Sequence, residues 1–350
     1  MNRFNNRRGV SMADLLVVLV VLVFVSGVGV AWAQSQREIR NRVNCLSNLR
    51  QIGQAIFLYA NENRQQWPRV HTSPDLEAHP LTAFTDPEAD NPLAMDEQTD
   101  QPLAGQEGDG GAPAYNDVTA ALFQLVRTQD IGTEVFICPS TIYTKDTLNN
   151  EPAVKRSNFS SKRNLSYSVA TPYPSAASAA KGYRWNVKQS PEFVVAADLN
   201  PGKRATDITD PQFVHTAPEE LLRKGNSPNH NGDGQNALYG DGHVEFCRTP
   251  FGGWRRDNIY TMSASSDGLD TTSARQFDGR MSPAHQHDSI LWPVADEDTF
   301  DAEKADEPLT EEEQADSRPR LPTQAYFTVD DGQTWFADDI DRIVPFEHEG

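Results

Sequence analysis

Apolar positions fall along this chain in three rhythms. From Leu15 to Ala33 they are continuous, and 19 residues pass without a charge. That run makes about 28 Å of helix at 1.5 Å per residue, close to the thickness of a bilayer's hydrocarbon core. From Ile39 the rhythm becomes helical. Ile39, Val43, Leu46, Leu49, Ile52, Ile56 and Tyr59 recur at steps of three and four among Arg, Asn and Gln, which predicts an amphipathic helix with one apolar stripe. Gly53 is the sole Gly or Pro inside it, and Pro68 marks its stop. Run and stripe together predict a helix of about 50 residues, roughly 75 Å long. Two unrelated helices would instead break near Gln34 to Gln36. Asp117 is placed to cap a shorter helix carrying Val118, Leu122, Leu125 and Val126. The third rhythm is that of strands: β-branched or aromatic runs at Glu134–Cys138, Leu165–Ala170, Phe193–Ala197, Ala237–Tyr239 and His243–Cys247, bounded by Pro, Gly, Asn and Asp. The expectation is an α+β fold, with a long N-terminal helix, membrane-spanning in its first half, packed on an antiparallel β-sheet.

Charge changes this picture in two ways. A net charge of −19 over 350 residues leaves no basic face of the kind nucleic acid requires, so no nucleic-acid partner is expected. The acid is also unevenly spread. Val70 to Val126 holds no Lys or Arg, and Asp296 to Asp316 holds eleven acids against Lys304. Such stretches bury too little apolar surface to offset the cost of ordering, and they read as long acidic loops. The chain then divides into a basic leader at 1–9, a transmembrane helix at 10–33 and its amphipathic continuation at 34–66. An acidic loop at 70–116, an α+β globular domain at 117–292, an acidic linker at 293–320 and a C-terminal β-hairpin segment at 321–350 follow. Arg3, Arg7 and Arg8 before the apolar run are balanced by Arg37, Arg40, Arg42 and Arg50 after it, so charge alone leaves the orientation open. Cys45, Cys138 and Cys247 are too few and too scattered for a disulfide scaffold or a Cys-rich zinc site. They allow at most one bridge, of undetermined pairing.

Three readings of the N-terminus compete. Ala31-Trp32-Ala33 before Gln34 suits signal-peptide cleavage, and the length of the apolar run suits an uncleaved anchor. The third rests on Arg7-Arg8-Gly9, then Val10, with Asp14 as the fifth residue after Gly9. This arrangement resembles the leader of type IV prepilins and pseudopilins, which place Phe and Glu at those two positions. Further segments resemble a prepilin-like family of unknown function that carries an H-X9-DG motif. They are Cys45-Leu-Ser-Asn48-Leu49-Arg50-Gln51-Ile52-Gly53, Phe136-Ile-Cys138-Pro139-Ser140, Asn164-Leu-Ser-Tyr167-Ser, and His230-Asn231-Gly232 with Asp241-Gly242-His243-Val244. Here ten residues separate His230 from Asp241, one more than the motif. The resemblance spans Gly9 to Cys247 and implies a pilin-like, non-enzymatic, single-pass protein of the inner (cytoplasmic) membrane, linked to type II secretion or type IV pilus machinery. It further implies an extracytoplasmic C-terminal body that reaches the cell surface after assembly. A prepilin peptidase would cut after Gly9 and methylate Val10, and Asp14 would pair with the amine of a neighbouring pilin-like subunit. The rival is a membrane-anchored extracytoplasmic protein that binds a ligand or cation and does not polymerise.

The densest polar cluster runs from Asn229 to Glu245. Asp241-Gly242 between two alternating segments predicts a hairpin turn. A metal reading draws on His230, Asp233 and Asp241, with His243 beside them. As a calcium loop, Asn229, Asn231, Asp233 and Gly234 fit the start of an EF-hand, but its twelfth place is Gly240, which supplies no bidentate acid. Neither G-x-S-x-G nor H-E-x-x-H occurs, so no enzyme and no catalytic residue is expected. No cofactor is expected either, with a bound Ca or Zn ion left open. At the C-terminus, Thr328-Val-Asp330-Asp-Gly332-Gln-Thr334-Trp335 fits an Asp-box hairpin, a single copy that cannot build a propeller. His285 and His287 lie in a Pro/Ser/Asp loop without partners visible in the sequence.

Overall fold

The computed structural model describes residues 12–84, 115–202, 214–263, 281–293, 325–328, 334–339 and 342–345. Helix α1 spans Met12–Glu62, 51 residues without a break, and so is about 77 Å long. The apolar run and the stripe are thus one element. It ends where Arg64 and Gln65 turn left-handed, at φ 53° and 65°, and the Gln65 amide donates back to the Ala60 carbonyl at 2.7 Å. In the first half the side chains of Leu15 to Leu22 are 52–65% exposed and Phe24 is 72% exposed. Among the described residues no helix is long and apolar enough to cross a membrane. Of the uncharged run, the side chains of 23 and 25–33 lie outside the described residues, as do Gly9 and Val10 entirely and the side chain of Asp14.

The second half buries Cys45, Leu49, Ile52, Ile56, Tyr59 and Ala60. The expected stripe is corrected at its start, because Ile39 and Val43 point outward at 51% and 59% exposure. Following the buried face back from Leu49 at helical spacing leads instead to Cys45, Arg42 and Glu38. Polar partners, described below, cover that end.

This face lies on a five-stranded antiparallel sheet of order β4-β3-β2-β1-β5. Its strands are β1 Tyr167–Ala170, β2 Val194–Asp198, β3 Gln235–Tyr239, β4 Val244–Cys247 and β5 Leu291–Trp292. β1, β2 and β3 are buried along their whole length, which is why they read as continuous rather than alternating runs. Gly53 lets the helix approach β3: a Cβ there would stand 2.8 Å from Leu238 Cδ1. The β3–β4 turn forms at Gly240, Asp241 and Gly242. Gly242 alone is left-handed, at φ 89°, and the Tyr239 amide donates to the His243 carbonyl at 2.9 Å, as in a three-residue loop.

Helix α2, Val118–Thr128, starts at the expected cap, Asp117, whose side chain accepts from the Ala120 amide. The strand expected over Glu134–Cys138 is instead a 3₁₀ turn at Thr133–Phe136. Its end is tied to Ser166 by one backbone bond, Ser166 N–H to Phe136 O at 2.9 Å, and one bond from Cys138 N–H to the Ser166 hydroxyl at 3.0 Å, and these are no ladder. The acidic loop expected from residue 70 also begins later. Val70, Leu76 and Leu81 are in the core, and buried Asn116 satisfies the nearby backbone by accepting from Ser73 N–H and donating to Ser73 O and His79 O. Residues 85–114 and 294–324, the bulk of both acidic stretches, lie outside the described residues. At the C-terminus β6 Ala325–Thr328, β7 Thr334–Asp339 and β8 Arg342–Pro345 form a separate antiparallel sheet, a hairpin extended by one strand. Trp335 on β7 pairs with Phe327, while Asp330 and Gly332 lie outside the described residues.

Candidate functional site

The most concentrated chemistry in the body sits where α1 first meets the sheet. Cys45 of α1, Cys138 after the 3₁₀ turn, Asp198 at the end of β2 and His230 before β3 are all buried. One ligand atom from each lies within 4.8 Å of every other. His230 Nε2 is 3.3 Å from Asp198 Oδ2 and 3.7 Å from Cys138 Sγ. On the opposite edge of the ring, Nδ1 is 2.7 Å from Glu38 Oε1. A carboxylate only accepts, so Glu38 places a proton on Nδ1 and turns Nε2 toward the cysteines. The Ser140 hydroxyl braces this contact, donating to Glu38 Oε2 at 2.9 Å.

The local chain is bent to achieve this. His230, Asn231 and Gly232 are consecutively left-handed, at φ 57°, 58° and 72°. For the two non-glycine residues this costs roughly 1–2 kcal/mol each and persists only where the surroundings enforce it. Asp198 is anchored from the other side: Asn236 N–H donates to its Oδ2 at 2.6 Å and Asn229 Nδ2 donates to its Oδ1 at 3.2 Å.

Electrostatics in the absence of an ion follow from these contacts. Burial opposes a charge on His230, but the Asp198 carboxylate and its hydrogen bond outweigh burial, and the imidazole is pushed up to about 11. Burial drives the Cys138 thiol well above its usual range. Cys45 is drawn below its usual range, because hydrogen bonds with Cys138 and His230 outweigh burial there. The site thus holds His230 between Asp198 and Glu38, with Cys45 and Cys138 beside it.

The structure separates the three acid and histidine positions that the sequence grouped as a metal set. Asp233 turns away from Nε2 and pairs with Arg42 and Arg223, each at 2.5 Å. Asp241 is at the tip of the β3–β4 hairpin, half exposed and 2.5 Å from His243 Nδ1. Gly242 beside it packs on Phe57, twelve residues or about 18 Å along α1 from Cys45. Asp241 and Gly242 are therefore turn residues. Cys247 stands apart from the other cysteines, its sulphur 3.4 Å from the Tyr239 hydroxyl.

Asp198 and Glu38 belong to no motif in the sequence, and the spacing of Cys45 and Cys138 suggests neither a disulfide scaffold nor a Cys-rich zinc site. Their donors come from separate elements, so no C-x-x-C spacing announces them. The available signal was the polar break in the α1 stripe at Glu38, Arg42 and Cys45. Beside the cluster an open cleft of about 290 Å³ is lined by Arg42, Glu219, Arg223, Asp233, Phe246 and Arg248. Elsewhere Asp257, His285 and Asp288 also converge and are buried. Burial raises both acids, Asp257 well above the carboxylate range and Asp288 to about 6. No family model, no curated protein and no solved structure matches this chain.

Proposed function

We propose that this chain is a prepilin-like, single-pass membrane protein whose work is assembly or surface interaction rather than catalysis. One observation carries the reading. A single unbroken helix, Met12–Glu62, leaves Leu15 to Leu22 and Phe24 of its first half without cover among the described residues, while one face of its second half is part of the core of an α+β body. A protein with an unrelated anchor has no reason to keep the two in one helix. Ile39 and Val43 extend the outward apolar surface past the uncharged run, and such a surface suits packing against lipid first and neighbouring helices afterwards. In this reading Gly9 is the cleavage site, Val10 the methylated N-terminus, and Asp14 the acid that meets a neighbour's amine. The body is extracytoplasmic.

The test is the intact mass and N-terminal sequence of the protein taken from purified membranes. The expected result is a mature chain that begins at methylated Val10. A start at Gln34 would make it a secreted protein and end the proposal, and an uncut Met1 would leave a plain anchor without pilin-type processing.

A further inference from the structure

We infer that Cys45, Cys138, Asp198 and His230 form a structural zinc site that fastens the N-terminal helix to the sheet. The inference stands independently of membrane processing. Zinc bonds of about 2.3 Å to sulphur and about 2.0–2.1 Å to nitrogen or oxygen place tetrahedral ligands roughly 3.6 Å apart on an S···N edge and roughly 3.3 Å apart on an N···O edge. The corresponding distances here are 3.7 Å from Cys138 Sγ to His230 Nε2 and 3.3 Å from Nε2 to Asp198 Oδ2. Two thiolates, an imidazole and a carboxylate form a donor set suited to zinc, whereas calcium and magnesium take oxygen ligands in larger number.

The groups behind the donors fit the same assignment. A histidine that gives Nε2 to a metal typically donates Nδ1–H to a carboxylate, and Glu38 stands there at 2.7 Å with Ser140 bracing it. Asn229 and Asn236 hold Asp198 in place. With four protein donors the coordination is closed, the pattern of structural rather than catalytic zinc. A disulfide between Cys45 and Cys138 would use two of these groups and leave the convergence of His230 and Asp198 on the same point unexplained.

Full-length protein, purified in detergent without chelator and with reductant, is analysed for metal and then loaded with cobalt(II) as a spectroscopic probe. The expected result is one zinc per chain, thiolate-to-cobalt charge-transfer absorption, and a thermal midpoint that chelator lowers and zinc restores. Cys45→Ser and His230→Ala should lose the metal, and Asp233→Ala should keep it. Glu38→Gln should keep the stoichiometry with roughly 10–100-fold weaker affinity. If Cys45→Ser fails to fold, the cobalt spectrum of the unaltered chain decides. Reduced protein that takes up neither zinc nor cobalt would overturn the inference. So would a native Cys45–Cys138 disulfide, seen as two fewer alkylatable thiols, or metal that persists in folded Cys45→Ser and His230→Ala.

Discussion

Asp117 shows how one side chain can set local structure. Its Oδ1 accepts from the Ala120 amide and the Thr119 hydroxyl, each at 2.8 Å, and its Oδ2 accepts from Asn158 Nδ2 at 2.9 Å, all inside the core. Asp117→Ala removes a cap worth about 1 kcal/mol and strips buried donors of their acceptor, for a total loss of about 2–3 kcal/mol. Asp117→Asn keeps an acceptor oxygen and should cost about 1 kcal/mol; chemical denaturation of the two variants measures both. The cap is legible because its helix partners, Thr119 and Ala120, are two and three residues away, whereas Asn158 joins it only in the fold. Cys45, Cys138 and Asp198 were not legible as a set, since each becomes a neighbour of His230 only through tertiary packing.

At the scale of elements, α1 was readable in its length and its stop but not in the aim of its face. Periodicity located the stripe, yet Ile39 and Val43 lost their places to Glu38 and Arg42, whose partners His230 and Asp233 lie almost two hundred residues on. Gly53 was visible only as a blemish in a helix. The structure makes it a point of close approach to β3, where Leu238 is 1% exposed and has little room to withdraw. Gly53→Ala gains about 1 kcal/mol of helix propensity but overpacks the interface by about 1–3 kcal/mol. The expected outcome is a net loss near 1 kcal/mol in urea unfolding, relieved when Leu238→Val is added. The segment Glu134–Cys138 has the β-branched and aromatic residues of a strand, and the bonds from Val135 N–H to Gly132 O and from Ile137 N–H to Glu134 O, each at 3.2 Å, are what make its start a 3₁₀ turn.

Across the whole molecule, stability carries a dependence on pH that composition does not announce. Asp288 is fully buried beside Asp257 and His285, accepts from the Ala284 and Ser263 amides, and has its carboxyl raised by burial to about 6. A raised carboxyl favours the folded state while it is protonated. Its contribution is therefore complete below the ordinary pKa of 3.8 and is lost as pH climbs through about 6. The shift corresponds to on the order of 3 kcal/mol. Relative to the unaltered chain, Asp288→Asn should gain about that much stability between pH 4 and pH 7, as read from paired unfolding curves; a constant difference would remove Asp288 as the source.

The entry of α1 into the body has a mechanical side. Among the described residues its first contacts are Glu38 with His230 and Arg42 with Asp233, both partners on the short segment that leads into β3. Cys45 follows, and only then the apolar residues from Leu49 to Ile56. A tensile load on the Met12 end meets charged, hydrogen-bonded grips before it reaches the core. The first two turns of contact are accordingly the part of the body that such a load strains first.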